Sequence, residues 1–241
     1  MKIAIIGYGR MGHELEVMAG ARGHHIVAII DNEGDWEKYG HRLQEADAAF
    51  EFSMPSTAPD NILRCFSRAT AVVCGTTGWN HRRDEITSAC SEGGHTLFYA
   101  SNFSLGMNIM FELNRKLAEL MHPYEDYRIL IEEIHHAGKK DSPSGTAITL
   151  ANDIIRQNQR KKRWVNRPAG HTEELEIISV RRNQVPGIHF VKYDSDQDSL
   201  EIRHTAHSRQ GFAFGAVLAA EWVKGKTGFF GMNDLITGHK H

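Results

Sequence analysis

Short apolar runs and amphipathic segments alternate along the first part of the chain. The run at 2–6 is apolar and β-branched, which predicts a strand buried on both faces. Leu15, Met18 and Ala19 then recur at helical spacing, and the apolar run at 25–31 predicts a second strand. A strand, a glycine-rich turn, a helix and a strand make one βαβ unit of about 30 residues.

The same alternation continues through the first hundred residues. Further strands are predicted at 48–53, 71–74 and 96–104, and helices at 61–69 and 81–93. Strands that alternate with helices imply a parallel sheet with right-handed crossovers. We therefore predict an α/β fold with a Rossmann-like, doubly wound parallel sheet.

The pattern changes after residue 103. Helices are predicted at 107–120, 145–157 and 211–225, and strands at 127–136, 175–182, 187–194 and 199–206. Runs of strands that follow a helix indicate a second, α+β domain with a mostly antiparallel or mixed sheet.

Charge and composition exclude several function classes. The formal net charge of -2 gives no reason to expect a nucleic-acid partner, and the basic run 160–163 is interpreted as a solvated helix end or loop. No apolar stretch approaches the ~20 residues that span a bilayer, and the apolar N-terminus is too short for a signal peptide. Three cysteines without C-x-x-C spacing, at 65, 74 and 90, are typical of reduced thiols. We expect a cytoplasmic protein with no membrane contact.

The glycine-rich turn carries the strongest cofactor signal. Gly7, Gly9 and Gly12 form G-x-G-x-x-G between a buried strand and a helix, and Asp31 ends the next strand. This context is the dinucleotide fingerprint, in which the pyrophosphate lies at the helix N-terminus and the acidic residue binds the ribose. The alternative is a glycine turn without a cofactor. Asp31 favours NADH, but Arg10 inside the turn could offset it, so NADH or NADPH stays open.

Two other loops end strands of the predicted parallel sheet. These are Gly75-Thr76-Thr77 and Ala100-Ser101-Asn102-Phe103. Ligands bind at the carboxyl edge of such a sheet, and small or hydroxyl side chains there suit ribose and nicotinamide. Ordinary βα loops are the alternative.

The densest polar cluster, 132–147, ends a predicted strand and begins a predicted helix. Ser144, Thr146 and the free N–H groups of the helix start can bind an anion. A histidine beside them can exchange protons near neutral pH, and a lysine can supply charge or a proton. The alternative is a solvated loop with Ser144 as a helix cap.

A metal site is a third interpretation, and we expect none. His135 and His136 are adjacent on a strand and point to opposite faces, which argues against joint ligation. His204 and His207 fail similarly if their segment is a strand. The remaining conspicuous histidines are interpreted as surface residues: His24, His25, His239 and His241.

The run EEIHHAGKKDSPSGTA at 132–147 resembles the signature of dihydrodipicolinate (4-hydroxy-tetrahydrodipicolinate) reductases, E-x-H-H-x-x-K-x-D-x-P-S-G-T-A. The family's glycine turn, its GTTG loop at 75–78 and its A-x-N-F-S segment at 100–104 follow in order. The closing segment at 204–230 is also similar. The glycine turn departs from the common G-x-G-G-R-M-G form by being one residue shorter.

The resemblance implies a role for each matching residue. His135 and Lys139 match the catalytic proton donors, and His136, Gly145 and Thr146 match substrate-binding positions, beside which Ser144 belongs to the same helix start. Cofactor contacts are implied at Gly7, Tyr8, Gly9, Arg10, Met11, Gly12, Asp31, Gly75, Thr76, Thr77, Ala100, Ser101, Asn102 and Phe103. The family is usually homotetrameric and acts on a small dicarboxylate.

We therefore expect residues 1–103 and 213–241 to form the dinucleotide-binding domain, and 104–212 to form the substrate-binding and oligomerisation domain, with the site in the cleft between them. The alternatives are another two-domain NAD(P)-dependent dehydrogenase, or a dinucleotide sensor without catalysis. An acylating semialdehyde dehydrogenase needs a cysteine in its second domain, where this chain has none.

Overall fold

The computed structural model describes residues 1–238, so the expectations for His239 and His241, and for the end of the segment 213–241, lie outside the described residues. The chain forms two compact units. One comprises Met1–Leu105 together with the segment from Arg209 onward, and the other is Gly106–Ser208. Among the described residues, no helix is long and apolar enough to cross a membrane.

The strands are β1 (Lys2–Ile6), β2 (His25–Ile30), β3 (Ala48–Glu51), β4 (Ala71–Cys74), β5 (Thr96–Tyr99), β6 (Arg128–His135), β7 (Arg163–Val165), β8 (Glu174–Arg181), β9 (Gly187–Asp194), β10 (Ser199–Ala206) and β11 (Gly228–Phe230). The helices are α1 (Arg10–Ala21), α2 (Glu33–Tyr39), α3 (Ala58–Phe66), α4 (Arg83–Glu92), α5 (Leu105–Met121), α6 (Gly145–Gln157), α7 (Gln210–Val223) and α8 (Met232–Thr237). Short 3₁₀ turns lie at Gly40–Glu45 and Asn80–Arg82.

The first unit is built on a six-stranded sheet of order β11-β5-β4-β3-β1-β2, with every pairing parallel. The chain crosses from β1 to β2 on one side and returns to β3 on the other. The carboxyl ends of β1 and β3 therefore flank the switch point, where open α/β sheets bind ligands. The predicted Rossmann-like fold is confirmed.

Apolar side chains leave this sheet on both faces, because successive residues of a strand point in opposite directions. Ile3 and Ile5 pack into a core with α1 and α7, whereas Ala4 and Ile6 pack into a second core with α3 and α4. Both faces of the sheet are thus covered by helices, which is why its strands are almost entirely apolar.

The second unit is a five-stranded mixed sheet of order β10-β9-β6-β8-β7. β6 pairs parallel with β8 and antiparallel with β9. Helices α5 and α6 cover one face, where Ile129, Ile131, Val191 and Tyr193 are buried. Buried and half-buried residues alternate along β9, so the sheet has one closed and one open face. The predicted α+β arrangement is confirmed.

One expectation about a surface residue is wrong. The His24 side chain is mostly buried, and its ring lies 2.8 Å from the Glu221 carboxylate and 3.1 Å from the N-terminal amine. The basic run at 160–163 lies, as expected, mostly in the loop after α6, where Lys162 and Arg163 are exposed and Arg160 and Lys161 are half-buried. Lys161 donates through Nζ to the carbonyls of Thr172 and Glu174, and Arg163 begins β7.

The packing of α7 yields a stability prediction. A Cβ on Gly215 would lie 1.8 Å from the Phe103 carbonyl oxygen, whereas nothing lies within 4 Å of a Cβ on Gly211 in the same helix. We expect Gly215→Ala to lower the free energy of unfolding by about 1–3 kcal/mol, since overpacking forces backbone shifts. Gly211→Ala, the matched control, should be neutral or stabilising. Denaturant titrations measure both, and equal effects would contradict the packing described.

Candidate active site

The glycine turn after β1 has three glycines with three different surroundings. Gly7 adopts a φ of +91°, and a Cβ there would lie 2.3 Å from the Phe52 carbonyl oxygen. A Cβ on Gly12 would lie 2.5 Å from the Gly7 carbonyl oxygen, so this glycine permits close packing of α1. Gly9 caps α1, is exposed, and has no described atom within 4 Å of a Cβ. The turn thus offers bare backbone at a helix N-terminus, which fits a pyrophosphate.

Asp31 is held against this turn. It follows β2 directly and is exposed, and its Oδ1 accepts the Tyr8 backbone N–H at 2.6 Å. The Asp31 N–H donates to Asp35 Oδ2 at 3.0 Å, and Asn32 caps α2 by accepting the Asp35 N–H at 3.1 Å. These bonds fix Asp31 at the glycine turn, where a carboxylate can accept from ribose hydroxyls.

A cavity of about 370 Å³ opens beside the turn. It is lined by residues that follow β1, β2 and β3, namely Ile6, Gly7, Gly9, Ile30, Asp31, Asn32, Glu33, Trp36, Phe52, Ser53, Met54, Thr57 and Asn61. Gly7, Gly9 and Asp31 were expected at the cofactor. Tyr8, Arg10, Met11 and Gly12 belong to the same turn without lining the cavity.

The other two predicted loops follow β4 and β5 at the same edge of the sheet. Phe52 connects them, because a Cβ on Gly75 would lie 2.2 Å from its ring and the ring of Phe103 is 5.6 Å away, centre to centre. Neither loop lines the 370 Å³ cavity. Thr76 and Phe103 are buried, and the Thr76 hydroxyl donates to the Glu51 carbonyl at 3.5 Å.

Their neighbours differ in exposure. Ala100 is buried, Asn102 is half-buried, and Thr77 and Ser101 are exposed. We therefore expect any side-chain contacts from these two loops to come chiefly from Thr77 and Ser101.

In the second unit, a row of polar side chains crosses the sheet on its helix-covered face. Glu133 of β6 pairs with Ser179 of β8 and with His189 of β9, and His189 pairs with His204 of β10. His135 lies two residues beyond Glu133 and therefore on the same face. Glu133 is completely buried, and His135 and His189 are buried as well.

Glu133 is the centre of this row. Its two oxygens accept the Ser144 backbone N–H at 3.0 and 3.1 Å, and the Arg181 guanidinium is 3.4 Å away. His135 Nδ1 lies 3.3 Å from Glu133 Oε2, and His189 Nε2 lies 3.7 Å from it. Burial raises the pKa of this carboxyl, but contacts with His135, His189 and Ser144 outweigh it and hold the pKa well below its usual range. Glu133 is therefore an anion.

The second histidine of the row, His189, is neutral at pH 7. Burial lowers its pKa, and the positive charges that His135 and Lys139 can carry lower it further, against the opposing effect of Glu133. Its Nε2 lies 3.1 Å from Ser144 Oγ. Glu133, Ser144 and His189 are thus linked by hydrogen bonds, and His135 lies within ion-pair distance of the same carboxylate.

The loop after β6 presents the remaining predicted residues. Lys139 Nζ lies 2.8 Å from Asp141 Oδ1, and this contact lowers the pKa of Asp141. His136 is exposed, and its carbonyl accepts the Lys139 N–H at 3.1 Å.

The loop leads into the start of α6. Ser144 caps the helix, its Oγ accepting the Ala147 N–H at 3.2 Å. Gly145 is exposed and Thr146 half-buried in the first turn, where helix N–H groups have no partner within the helix.

The ligand atoms of Glu133, His135 and His189 lie within 4.8 Å of one another, a spacing that also suits a metal ion. However, the Glu133 oxygens already accept the Ser144 N–H, and the Arg181 cation faces them. A second cation here would meet electrostatic repulsion, so the geometry favours an acid–base network. His136, beyond the strand end, is not part of the cluster.

Sequence reasoning missed His189 and Arg181 and gave Glu133 no role. His189 had a signal, because it occupies an inward position of an alternating strand, where a histidine is unusual. No sequence signal indicated that Arg181 lies near Glu133, because this proximity depends on the pairing of β6 with β8.

Comparisons with known proteins identify the family of the chain. The family model described as "Dihydrodipicolinate reductase, N-terminus" matches residues 1–103, and "Dihydrodipicolinate reductase, C-terminus" matches residues 106–236. The 4-hydroxy-tetrahydrodipicolinate reductase of Christiangramia forsetii is 49% identical over 237 residues, 98% of each chain. That of Bdellovibrio bacteriovorus is 33% identical, over 99% of this chain and 97% of its own.

A solved structure supports the fold. It is the dipicolinate-bound dihydrodipicolinate reductase from Paenisporosarcina sp. TG-14, which aligns with a TM-score of 0.77 at 21% identity, covering 97% of this chain and 98% of that chain. The resemblance drawn from residues 132–147 is thereby confirmed over both units. The chain belongs to the 4-hydroxy-tetrahydrodipicolinate (dihydrodipicolinate) reductase family of nicotinamide-dependent oxidoreductases.

Proposed function

We propose that this chain reduces 4-hydroxy-tetrahydrodipicolinate, by way of dihydrodipicolinate, to tetrahydrodipicolinate in the diaminopimelate route to lysine. The observation that carries the proposal is the cluster of the second unit, in which a buried histidine beside Glu133 adjoins a helix N-terminus suited to an anion. The dicarboxylate named with the Paenisporosarcina relative has the charges that such a site binds.

The substrate carboxylates are held at the start of α6. The N–H groups of Gly145 and Thr146 can bind an anion there, beside the buried Ser144 hydroxyl that caps the helix, and the helix dipole favours negative charge. His136 and Lys139 add donors from the preceding loop. Together they fix the ring in one orientation, which is the protein's main contribution to the rate.

The reduced nicotinamide, when bound, supplies a hydride to C4 of the conjugated ring, and the ring imine accepts the electron pair. The enamine formed then takes a proton at C3. His135 and Lys139 are the proton donors of the site, His135 from a buried position beside Glu133 and Lys139 from the loop beside Asp141.

NADH is the cofactor that the first unit suits better. A 2′-phosphate at the ribose site would face the carboxylates of Asp31 and Glu33, which both line the cavity. The neighbouring Arg64 is already paired with Glu33, at 2.7 and 3.0 Å. Arg10 is exposed and does not line the cavity. The carboxylate of Asp31 therefore repels the phosphate, and no lysine or arginine among the residues that line the cavity offsets it.

The open face of the second sheet supports the proposal that the chain self-associates, as a homotetramer. Leu130, Ile178, Ile188 and Phe190 lie on this face and are only half-buried in the single chain. Burying an apolar face between copies of the chain is favourable. Sedimentation equilibrium measures the oligomeric state directly.

A cytoplasmic location also stays a prediction. The three cysteines are free and buried, and burial raises the pKa of each thiol.

His135→Gln and Lys139→Ala should each lower kcat by about 100-fold or more, the usual contribution of a proton donor. NADH oxidation with the product of dihydrodipicolinate synthase as substrate measures the effect. Lys140→Ala, the exposed neighbour of Lys139, is the control and should retain activity. Near wild-type kcat in both test variants would refute the site, and NADH binding without turnover in the unmodified chain would indicate a sensor.

Asp31→Ala should raise the kcat/KM for NADPH relative to that for NADH by roughly tenfold, equivalent to ~1.4 kcal/mol. The reason is that the substitution removes one of the two carboxylates facing the ribose. Glu37→Ala, an exposed carboxylate of α2 outside the cavity lining, is the control and should leave the ratio unchanged. An unmodified chain that prefers NADPH would overturn the assignment.

A further inference from the structure

We propose that Glu133 is a positioning residue for the reaction, which orients the His135 ring and stabilises its protonated form. The proposal rests on the assignment of His135 as a proton donor in the proposed function. Glu133 itself touches neither substrate nor cofactor in this scheme, and it acts through the histidine.

Glu133 is held in place by donors from two neighbouring elements. A fully buried carboxylate persists as an anion only when donors converge on it. The Ser144 N–H and the Arg181 guanidinium do so from α6 and β8. Arg181 also donates to the Asp141 carbonyl at 2.6 Å, which ties the loop to the same carboxylate. The anion is therefore fixed in position relative to both the proton donor and the start of α6.

The His135 ring is oriented with its Nδ1 atom toward Glu133. Its Nδ1 is buried and lies 3.3 Å from Glu133 Oε2, without the alignment of a hydrogen bond and without another hydrogen-bond partner among residues 1–238. Such contacts often tighten into hydrogen bonds when a ligand binds. Nδ1 is thus committed to Glu133, which leaves Nε2 to exchange the proton.

The space and the charges around the His135 ring also favour this role for Glu133. A Cβ on Gly187 would lie 3.1 Å from His135 Nε2, so the glycine keeps that nitrogen unobstructed. The titratable and charged groups on the surrounding strands and loop are Glu133, Lys139, Asp141, Arg181, His189 and His204. Of the two anions among them, Asp141 is paired with Lys139. Glu133 is therefore the anion that stabilises a protonated His135.

Glu133→Gln tests the proposal, since it keeps the shape of the side chain and removes its charge. We expect kcat to fall by about 10- to 100-fold, the usual scale for a residue that orients a functional group. The alkaline limb of the kcat profile should move to lower pH, because His135 loses its proton more readily without the neighbouring anion. Glu132→Gln, one residue away on the opposite face of β6, is the matched control and should keep the original profile.

A double-mutant cycle separates positioning from general damage. If Glu133 acts through His135, the double variant E133Q/H135Q is no slower than H135Q alone. Multiplicative losses, or an E133Q profile with an unmoved alkaline limb, overturn the proposal. An active H135Q variant instead refutes the proposed function. Circular dichroism and thermal unfolding report whether each variant is folded.

Should Glu133→Gln fail to fold, Glu133→Asp takes its place. This substitution keeps the negative charge but shortens the side chain by one methylene group, which moves the carboxylate away from His135. The alkaline limb of the kcat profile should therefore remain at its original pH while kcat falls. The same loss in the H135Q background would overturn the proposal.

Discussion

A carboxylate without solvent must find its compensating groups within the protein, and Glu133 meets this requirement with groups from four elements. The Ser144 N–H comes from the start of α6, the Arg181 guanidinium from β8, and the two imidazoles from β6 and β9. Removing any one donor leaves a buried charge less well compensated, which costs several kcal/mol in typical cases. The position of the helix start, and with it the candidate anion site, therefore depends on one charge.

A steric constraint plays the corresponding part in the first unit. Gly7 and Gly75 both pass so close to Phe52 that neither position has room for a side chain. The ends of β1, β3 and β4, which parallel pairing places on one edge of the sheet, are therefore tightly packed around Phe52. It also leaves the exposed Gly9 as the point where a ligand can approach the backbone.

The two units divide the chemistry between them. The first offers bare backbone and a carboxylate, which suit a dinucleotide. The second offers a helix start for carboxylates and a network that holds a proton. The second network is the more demanding to build, because a buried anion, a neutral His189 and the neighbouring Arg181 must remain in balance. Substitutions there are thus expected to affect folding and chemistry together.

Much of this was evident in the sequence alone. The alternation of apolar runs and helical periodicity predicted β1 to β5 and the helices between β3 and β5, because strand and helix periods differ. Short elements escaped detection, among them α2, β7 and β11, since three to seven residues carry too little periodicity. The glycine turn and the run at 132–147 identified the cofactor motif and the family.

What the sequence could not supply is register. Arg181 and His189 lie 48 and 56 positions after Glu133 in the chain. Only the pairing of β6 with β8 and β9 places the three residues on one face. A shift of one residue in either pairing would turn the side chains to the opposite face. Local pattern therefore determined the elements and the residue types of the site. The tertiary structure decided which of those residues lie around the Glu133 carboxylate, because strand pairing joins segments that are far apart in the sequence.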